Sequence, residues 1–419
     1  MSIPKEQFPL IEQLLNLRGV RVLNVELTDR KVTIVIEITE DHAICHKCGQ
    51  KATEFYCLGE EIQLRHFPVF DRQTYLVLRP KRYRCLNCDD RPTTTRRDDW
   101  YDARAGITKA FAKFLLREII GSTLSDVAMK HEVSYDLLRG ILDRLVPDKV
   151  DWTQFKQLRV LGLDEISLLK GHRDFVTIIS TRTDDGSSVV LATLKGREKQ
   201  TVKEFLDRIP EELRETVREV CTDLYEGFVN AVKEALPQAS VVADRFHVSK
   251  LMRNAVDTLR KSEMGILKHS LEPEFYEAFK GVLWVWRRNP EDLTDEELHQ
   301  LDLLFECSPL LRQAHKLRQK LYQIFEAKHT KESGTQAIRA WIQEVRRSGL
   351  ECFEKFLATL ETWMDEITNY FLSRLSSGWV EGLNNKIKVL KRRCYGMKNL
   401  SNLFRRIWLD LRGYEAFAH

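Results

Sequence analysis

Two cysteine pairs constrain the fold of this chain more than any other feature. Cys45-x-x-Cys48 and Cys85-x-x-Cys88 stand 36 residues apart. Two residues between thiolates let one tight turn aim both sulfurs at one ion, and two such turns complete a closed tetrahedral zinc site. The gap exceeds the usual ~15–20 residues, so the segment between must fold back on itself to bring the pairs together. RVLNVEL, KVTIVIEI, EIQLRHFPVF and QTYLVLRPKRYRC, rich in Val, Ile, Tyr and Leu, read as the short strands that would do so. Cys57 and His46 are alternative ligands. A site closed by four cysteines leaves no open position, so its zinc is expected to be structural. The chain opens without a basic, cleavable leader, which places its nine cysteines in a reducing compartment, where pairs bind metal rather than form disulfides. No run reaches the roughly 18 apolar residues of a membrane span, so a cytoplasmic protein is expected and no membrane partner. An apolar fraction of 43% excludes disorder and, over 419 residues, suits two to four domains.

From Gly106 the apolar period changes from that of strands to that of helices. Within this stretch, Thr123 to Arg144 has the pattern of a helix-turn-helix. Ser125 is expected to cap its first helix and Ser134 its second. Leu124, Val127, Ala128, Val133, Leu137, Leu138 and Ile141 are the expected buried positions, and Tyr135, Asp136 and Arg139 would face a DNA groove. Glu132 stands where a turn glycine is frequent. Pro147 and the polar DKVDWTQ stretch mark a boundary.

Beyond it the text becomes a mixed α/β layer pattern. Three apolar runs, RVLGLDEIS, DFVTIIST and SVVLATL, precede alternating helices and strands: QTVKEFLDRI, REVCTDL, EGFVNAVKEAL, ASVVAD and FHVSKLMRNAVDTL. Asp164 closes the apolar run Val160–Leu163, Asp223 closes REVC, and Asp244 closes SVVA. A carboxylate is expensive to bury unless it faces a cleft or a metal, and neighbouring strand ends converge at one edge of such a sheet. Oxygen ligands of this type suit hard divalent ions. Glu165 is expected to point to the other side of its strand. From about Lys261 to Arg374 the pattern is almost wholly helical and reads as an insertion.

Glu381 lies in the first turn of a helix that Ser376 or Ser377 could cap. Asn384 and Lys388 share its face, and Lys391, Arg392 and Arg393 follow. That arrangement suits a metal ligand beside groups that grip a phosphate backbone. Net charge is only +4, but Arg65 to Arg104 carries ten Arg/Lys against six Asp/Glu, and Glu381 to His419 nine against three. Such stretches are candidate DNA-contacting surfaces.

The blocks LGLDEIS, CTDLYEGF, ADRFHV and WVEGLNNKIKVLKRRCYGMKN resemble those of the ISL-three group of bacterial insertion-sequence transposases. The resemblance spans nearly the whole chain. It implies a multidomain α+β protein: a β-rich zinc ribbon over residues 1–100, a helix-turn-helix domain over 101–150, and an RNase H-like α/β catalytic domain over 151–260 and 375–419, interrupted by an all-helical insertion over 261–374. It further implies Asp164, Asp223 and Glu381 as a DDE triad holding two Mg²⁺ or Mn²⁺ ions, with Asp244 a possible outer partner and Lys388 a DNA contact. The implied partners are double-stranded DNA, as element inverted repeats and as target, and a second copy in a homodimer. A DNA-binding regulator without catalysis and an RNase H-like structure-specific nuclease are the competing readings. Strand transfer separates them, because a regulator only binds and a nuclease only cuts.

Overall fold

Lys31–Ile38, KVTIVIEI, buries every second side chain, so Val32, Ile34, Ile36 and Ile38 all face one core. This is the two-residue period of a sheet with one covered face. A computed structural model describes residues 3–167, 175–374 and 378–418. The chain divides into two compact units, Met1–Pro147 with Trp408–His419, and Asp148–Ile407.

The first unit begins with helix α1 (Phe8–Leu15) and strands β1 (Val20–Leu27), β2 (Lys31–Ile38), β3 (Ala43–Ile44), β4 (Lys51–Ala52), β5 (Glu54–Leu58), β6 (Ile62–Val69), β7 (Arg72–Leu78), β8 (Lys81–Arg84), β9 (Thr93–Thr95), β10 (Tyr101–Asp102) and β11 (Ile107–Thr108). Six of these form one sheet in the order β1-β2-β7-β6-β11-β10, while β3-β4 and β5-β8-β9 form two small sheets beside the cysteines. Three helices follow: α2 (Lys109–Ile119), α3 (Leu124–His131) and α4 (Tyr135–Leu145). The expected boundary at residue 100 is bridged by strand pairing, since Ile107 of β11 pairs with Arg65 of β6. The Thr123 hydroxyl, rather than Ser125, caps α3 by accepting from the Asp126 N–H, and Ser134 caps α4 as expected. Glu132 takes the left-handed conformation between them, at φ 50°, where glycine was the usual occupant. Val127, Leu138 and Ile141 are buried; Leu124, Ala128, Val133 and Leu137 are half-buried against the same core.

The second unit is built on strands β12 (Val160–Ser167), β13 (Phe175–Arg182), β14 (Ser188–Lys195), β15 (Glu219–Thr222) and β16 (Ser240–Ala243), in the order β14-β13-β12-β15-β16. β12, β13 and β14 run antiparallel, whereas β12, β15 and β16 run parallel. Helices α5 (Lys199–Asp207), α6 (Glu211–Arg214) and α7 (Glu226–Ala235) alternate with them. Val202, Leu206, Phe228 and Val232 pack with Leu161, Leu163 and Val220 in one core. A second core starts at Cys221, Val242 and Ala243 and continues through helix α8 (Arg245–Ser270) to Trp286, Trp341 and Phe353. The helical block comprises the rest of α8, α9 (Pro273–Glu277), α10 (Val282–Arg287), α11 (Asp295–Cys307), α12 (Pro309–Glu326), α13 (Lys331–Ser348), α14 (Glu354–Thr362), α15 (Met364–Thr368) and α16 (Tyr370–Ser373). α17 (Gly378–Arg393) and α18 (Leu400–Ala416) end the chain.

Two expected boundaries shift. α8 runs unbroken across residue 260, because Val248, Met252 and Val256 continue one buried stripe from the sheet into the helical block. Trp408–His419, expected with residues 375–419 in the catalytic domain, packs instead in the first unit, where Leu409 and Phe417 are buried among Phe111, Leu115 and Leu138.

Candidate active site and zinc cluster

Strand register brings the three aspartates level. Gly162 pairs with Cys221 and Thr222 with Ala243. Two residues past the first pair stand Asp164 and Asp223, and one past the second stand Asp223 and Asp244. Side chains alternate along a strand, so the three carboxylates leave the same face at the same height. The expectation that Asp164 ends its strand is corrected: β12 continues to Ser167 because β13 still pairs with it, while the parallel neighbour β15 has already stopped at Thr222.

Asp164 is held on both oxygens. Its Oδ1 accepts from the Glu165 backbone N–H at 2.6 Å, and its Oδ2 accepts from Asn384 Nδ2 of α17. Burial raises its pKa, opposed by the Glu165 N–H, the charges of His247 and Lys388, and the Asn384 amide. Asp223 is pushed up to about 6, first by burial and then by the Asp164 carboxylate. Its Oδ1 is buried without a hydrogen-bond partner among the described residues. An orphaned buried oxygen and two crowded carboxylates with raised pKa values are what a pair of acids shows when a cation belongs between them. The donor set therefore fits divalent metal.

Asp244 has another task. Its Oδ1 caps α8 by accepting from the Phe246 N–H at 2.8 Å, and its Oδ2 accepts from His247 Nδ1 at 3.0 Å. His247 was missing from the expected site, although the ADRFHV block contains it. The Asp244 hydrogen bond raises the His247 pKa, with burial opposing and Asp223 and Asp164 adding to the rise. The signal in the sequence was its place three residues after a strand-end aspartate that caps a helix, which puts it one turn into α8 on the capping residue's side.

Gly162 lets α17 close on the sheet. A Cβ there would lie 2.6 Å from Val380 Cγ2 and 2.8 Å from Trp379 Cη2. Glu381 follows Val380, half-buried, one helical turn before Asn384. The expected caps Ser376 and Ser377 lie outside the described residues. Asn384, expected at a phosphate backbone, is only 1% exposed and instead orients Asp164. Lys391, expected likewise, donates to the Ser167 carbonyl, whereas Lys388 and Arg392 are exposed and Arg393 is half-buried. Glu165 pairs with Arg197 at 3.2 Å, and that guanidinium lies over the Phe175 and Tyr225 rings. In the first unit, Tyr135 and Arg139 are exposed on α4, with Arg139 at 3.9 Å from Asp143.

The four sulfurs of Cys45, Cys48, Cys85 and Cys88 all lie within 4.8 Å of one another. Cys48 to Cys85 is 3.6 Å and Cys45 to Cys88 is 4.0 Å, bracketing the ~3.8 Å edge of a tetrahedron with Zn–S bonds near 2.3 Å. The backbone N–H groups of Cys48 and Lys47 pull the Cys45 thiol down, while burial pushes the Cys85 thiol up and the Cys48 sulfur pushes Cys88 up to about 12, so the four share their charge unevenly until an ion binds. β3 and β8 each deliver one pair, and Cys57 and His46 stand outside the set. The donors fit zinc.

Residues 161–407 match the ISL3 model of DDE transposases, described as "Transposase". The transposase for insertion sequence element IS1001 of Bordetella parapertussis is 24% identical over 402 residues, covering 95% of this chain and 97% of the relative. The transposase for insertion sequence element IS1557 of Mycobacterium tuberculosis is 26% identical over 393 residues, covering 88% and 86%. A chain from the Drosophila P element transposase strand transfer complex aligns over 73% of this chain and 92% of its own length, at 12% identity and a TM-score of 0.44.

Proposed function

The chain belongs to the ISL3 family of DDE transposases, and from that premise we propose that Asp164, Asp223 and Glu381 are the groups with which it cuts and joins DNA. It is a DNA transposase, an enzyme of strand cleavage and strand transfer, and its family implies a divalent metal. The observation that carries the residue assignment is the shared level of Asp164 and Asp223 on adjacent parallel strands, with Asp223 Oδ1 left without a partner. The sheet order and the helical block after the third aspartate support an RNase H-like catalytic domain with an insertion.

Two Mg²⁺ or Mn²⁺ ions held by this trio would activate the attacking oxygen and stabilise the leaving one. The protein's own part is positioning and charge. Asn384 and the Glu165 N–H fix the Asp164 carboxylate in one orientation. Asp244 holds His247 beside the two aspartates, where its charge offsets part of their repulsion. Lys388 stands exposed two turns after Glu381, placed for a strand entering the site, with Arg392 and Arg393 beyond it. Tyr135 and Arg139 are the groove-facing residues of the helix-turn-helix, and the zinc ribbon is the second module for the terminal inverted repeats. Concerted work on two ends calls for a homodimer. Among the described residues no helix is long and apolar enough to cross a membrane.

The test is strand transfer with labelled inverted-repeat DNA and Mg²⁺. Asp164→Asn, Asp223→Asn and Glu381→Gln are each expected to lower cleavage and joining by about a hundredfold to a thousandfold, the range that electrostatic groups supply, while end binding persists. Retained cleavage in any one removes that residue from the triad.

A further inference from the structure

The first two turns of α8 have a second side. Around an α-helix at about 100° per residue, Arg245, Ser249, Met252 and Arg253 all project within about 60° of the side opposite His247. There they line a cavity of ≈ 210 Å³ with Arg287, Arg318 and Tyr322. Four guanidiniums thus meet in one pocket of the helical block. Two have carboxylate partners: Arg245 pairs with Glu326, and Arg287 with Asp257, which Arg260 shares at 3.5 Å. Arg253 has no carboxylate partner among the described residues and sits 5.9 Å over the Phe246 ring. Among the described residues Arg318 donates only to the carbonyls of Trp286 and Arg288, at 2.5 and 2.9 Å. Two of its five N–H groups are used, leaving the others for a ligand.

The electrostatics are unfinished. Burial, opposed by the Asp257 charge and aided by that of Arg253, brings the Arg318 pKa down to about 10. The side-chain amide nitrogen of Gln319, another residue of the lining, is buried without a hydrogen-bond acceptor among the described residues. Two cations without a salt bridge among the described residues and an idle buried donor around one cavity call for a multiply charged oxyanion.

We propose that this pocket is a phosphate site, in which Arg253, Arg318 and Gln319 hold a phosphate group beside the exposed ring of Tyr322. DNA is the favoured source, an assignment that rests on the transposase reading. An α-helix is 10–12 Å across, so the pocket lies about one helix width from the carboxylates that His247 faces. A strand leaving the aspartates must pass round α8, about half its circumference or roughly 16–19 Å, and at roughly 3.4 Å per nucleotide reaches the pocket in about five nucleotides. The Tyr322 ring at the rim offers a stacking platform of the kind single strands use.

Full-length wild type, Arg253→Gln and Arg253→Lys are compared in two measurements. In the first, affinity for labelled inverted-repeat duplex is followed against salt. A lost phosphate contact lowers the log–log slope by about one, and Arg253→Lys, which keeps the charge, restores most of it. In the second, inorganic pyrophosphate raises the melting temperature of wild type but not of Arg253→Gln, whose fold is checked by its melt in phosphate-free buffer. A changed slope assigns the phosphate to the DNA backbone. An unchanged slope with lost pyrophosphate stabilisation assigns it to a free phosphorylated ligand. Neither effect, in a folded variant, overturns the site. Both readouts are binding, so failure of the proposed triad, which is read by cleavage, leaves this result interpretable.

Discussion

Asp223 concentrates the charge problem of the catalytic unit in one side chain. Its pKa in the folded state, about 6, lies above the ordinary carboxylate value. A group raised in this way favours folding below the unfolded pKa, and that contribution is lost as the pH rises through about 6. Asp223→Asn is therefore expected to stabilise the protein in magnesium-free buffer at pH 8, by on the order of 3 kcal/mol, with the gain fading as the pH falls from about 6 to about 4. Thermal melts across that range check it, and a variant no more stable than wild type at pH 8 refutes it. Added Mg²⁺ should stabilise wild type and leave the variant behind. At this scale the placement of Asp164 and Asp223 on neighbouring strands, though not their proposed role, was legible because residue type and strand position coincide there. The sequence misled at Asn384 and Lys391, since a polar side chain on a basic helix reads as solvent-facing until the neighbouring sheet is known to cover it. His247 was missed because its meaning depends on strands β12 and β15, contributed by segments far from it in the chain.

Elements meet at Gly162. A methyl group there has no room against Val380 and Trp379, so Gly162→Ala must push α17 off β12 and carry Glu381 with it. Small displacements of catalytic groups are costly, and cleavage is expected to fall roughly tenfold to a hundredfold with end binding retained. Val380→Ala in the same chain should restore part of the loss, and a cycle of the two variants measures that coupling; purely additive effects would remove steric contact as the cause. The zinc cluster is also an element-scale device. Its core is little more than Ala43, Ala52, Tyr83 and the cysteines, too small to hold β3, β4 and the β5-β8-β9 sheet together alone. Cys88→Ser is expected to abolish binding of one zinc per chain and to open residues 40–97 to proteolysis. Elemental analysis finding no zinc in wild type would end the assignment. The cysteine spacing announced this cluster in the sequence. The cap of α3 did not announce itself, because Thr123 and Ser125 are both competent and only the helix start decides between them.

At the scale of the molecule, division into units follows burial rather than order along the chain. Leu409 is fully buried and Phe417 nearly so in the core of α2, α3 and α4. Deleting residues 408–419 is thus expected to destabilise the first unit by several kcal/mol, given about 2–5 for each large side chain removed from a core, and to abolish end binding before any effect on the second unit. Limited proteolysis that left the first unit intact would contradict this. No periodicity in the C-terminal helix distinguishes the core it joins, which is why sequence alone kept all of 375–419 together.

The return of the last forty residues has a consequence for synthesis. Asp164 and Asp223 emerge from a ribosome long before Glu381, which waits for α8 through α16, and Leu409 and Phe417 come later still. At ~5–20 residues per second, the carboxylate pair exists for many seconds without its glutamate, and the first unit without its closing helix. A chain interrupted before α17 therefore lacks the proposed Glu381 ligand, and one interrupted before residue 408 lacks the segment that fills the core of the first unit.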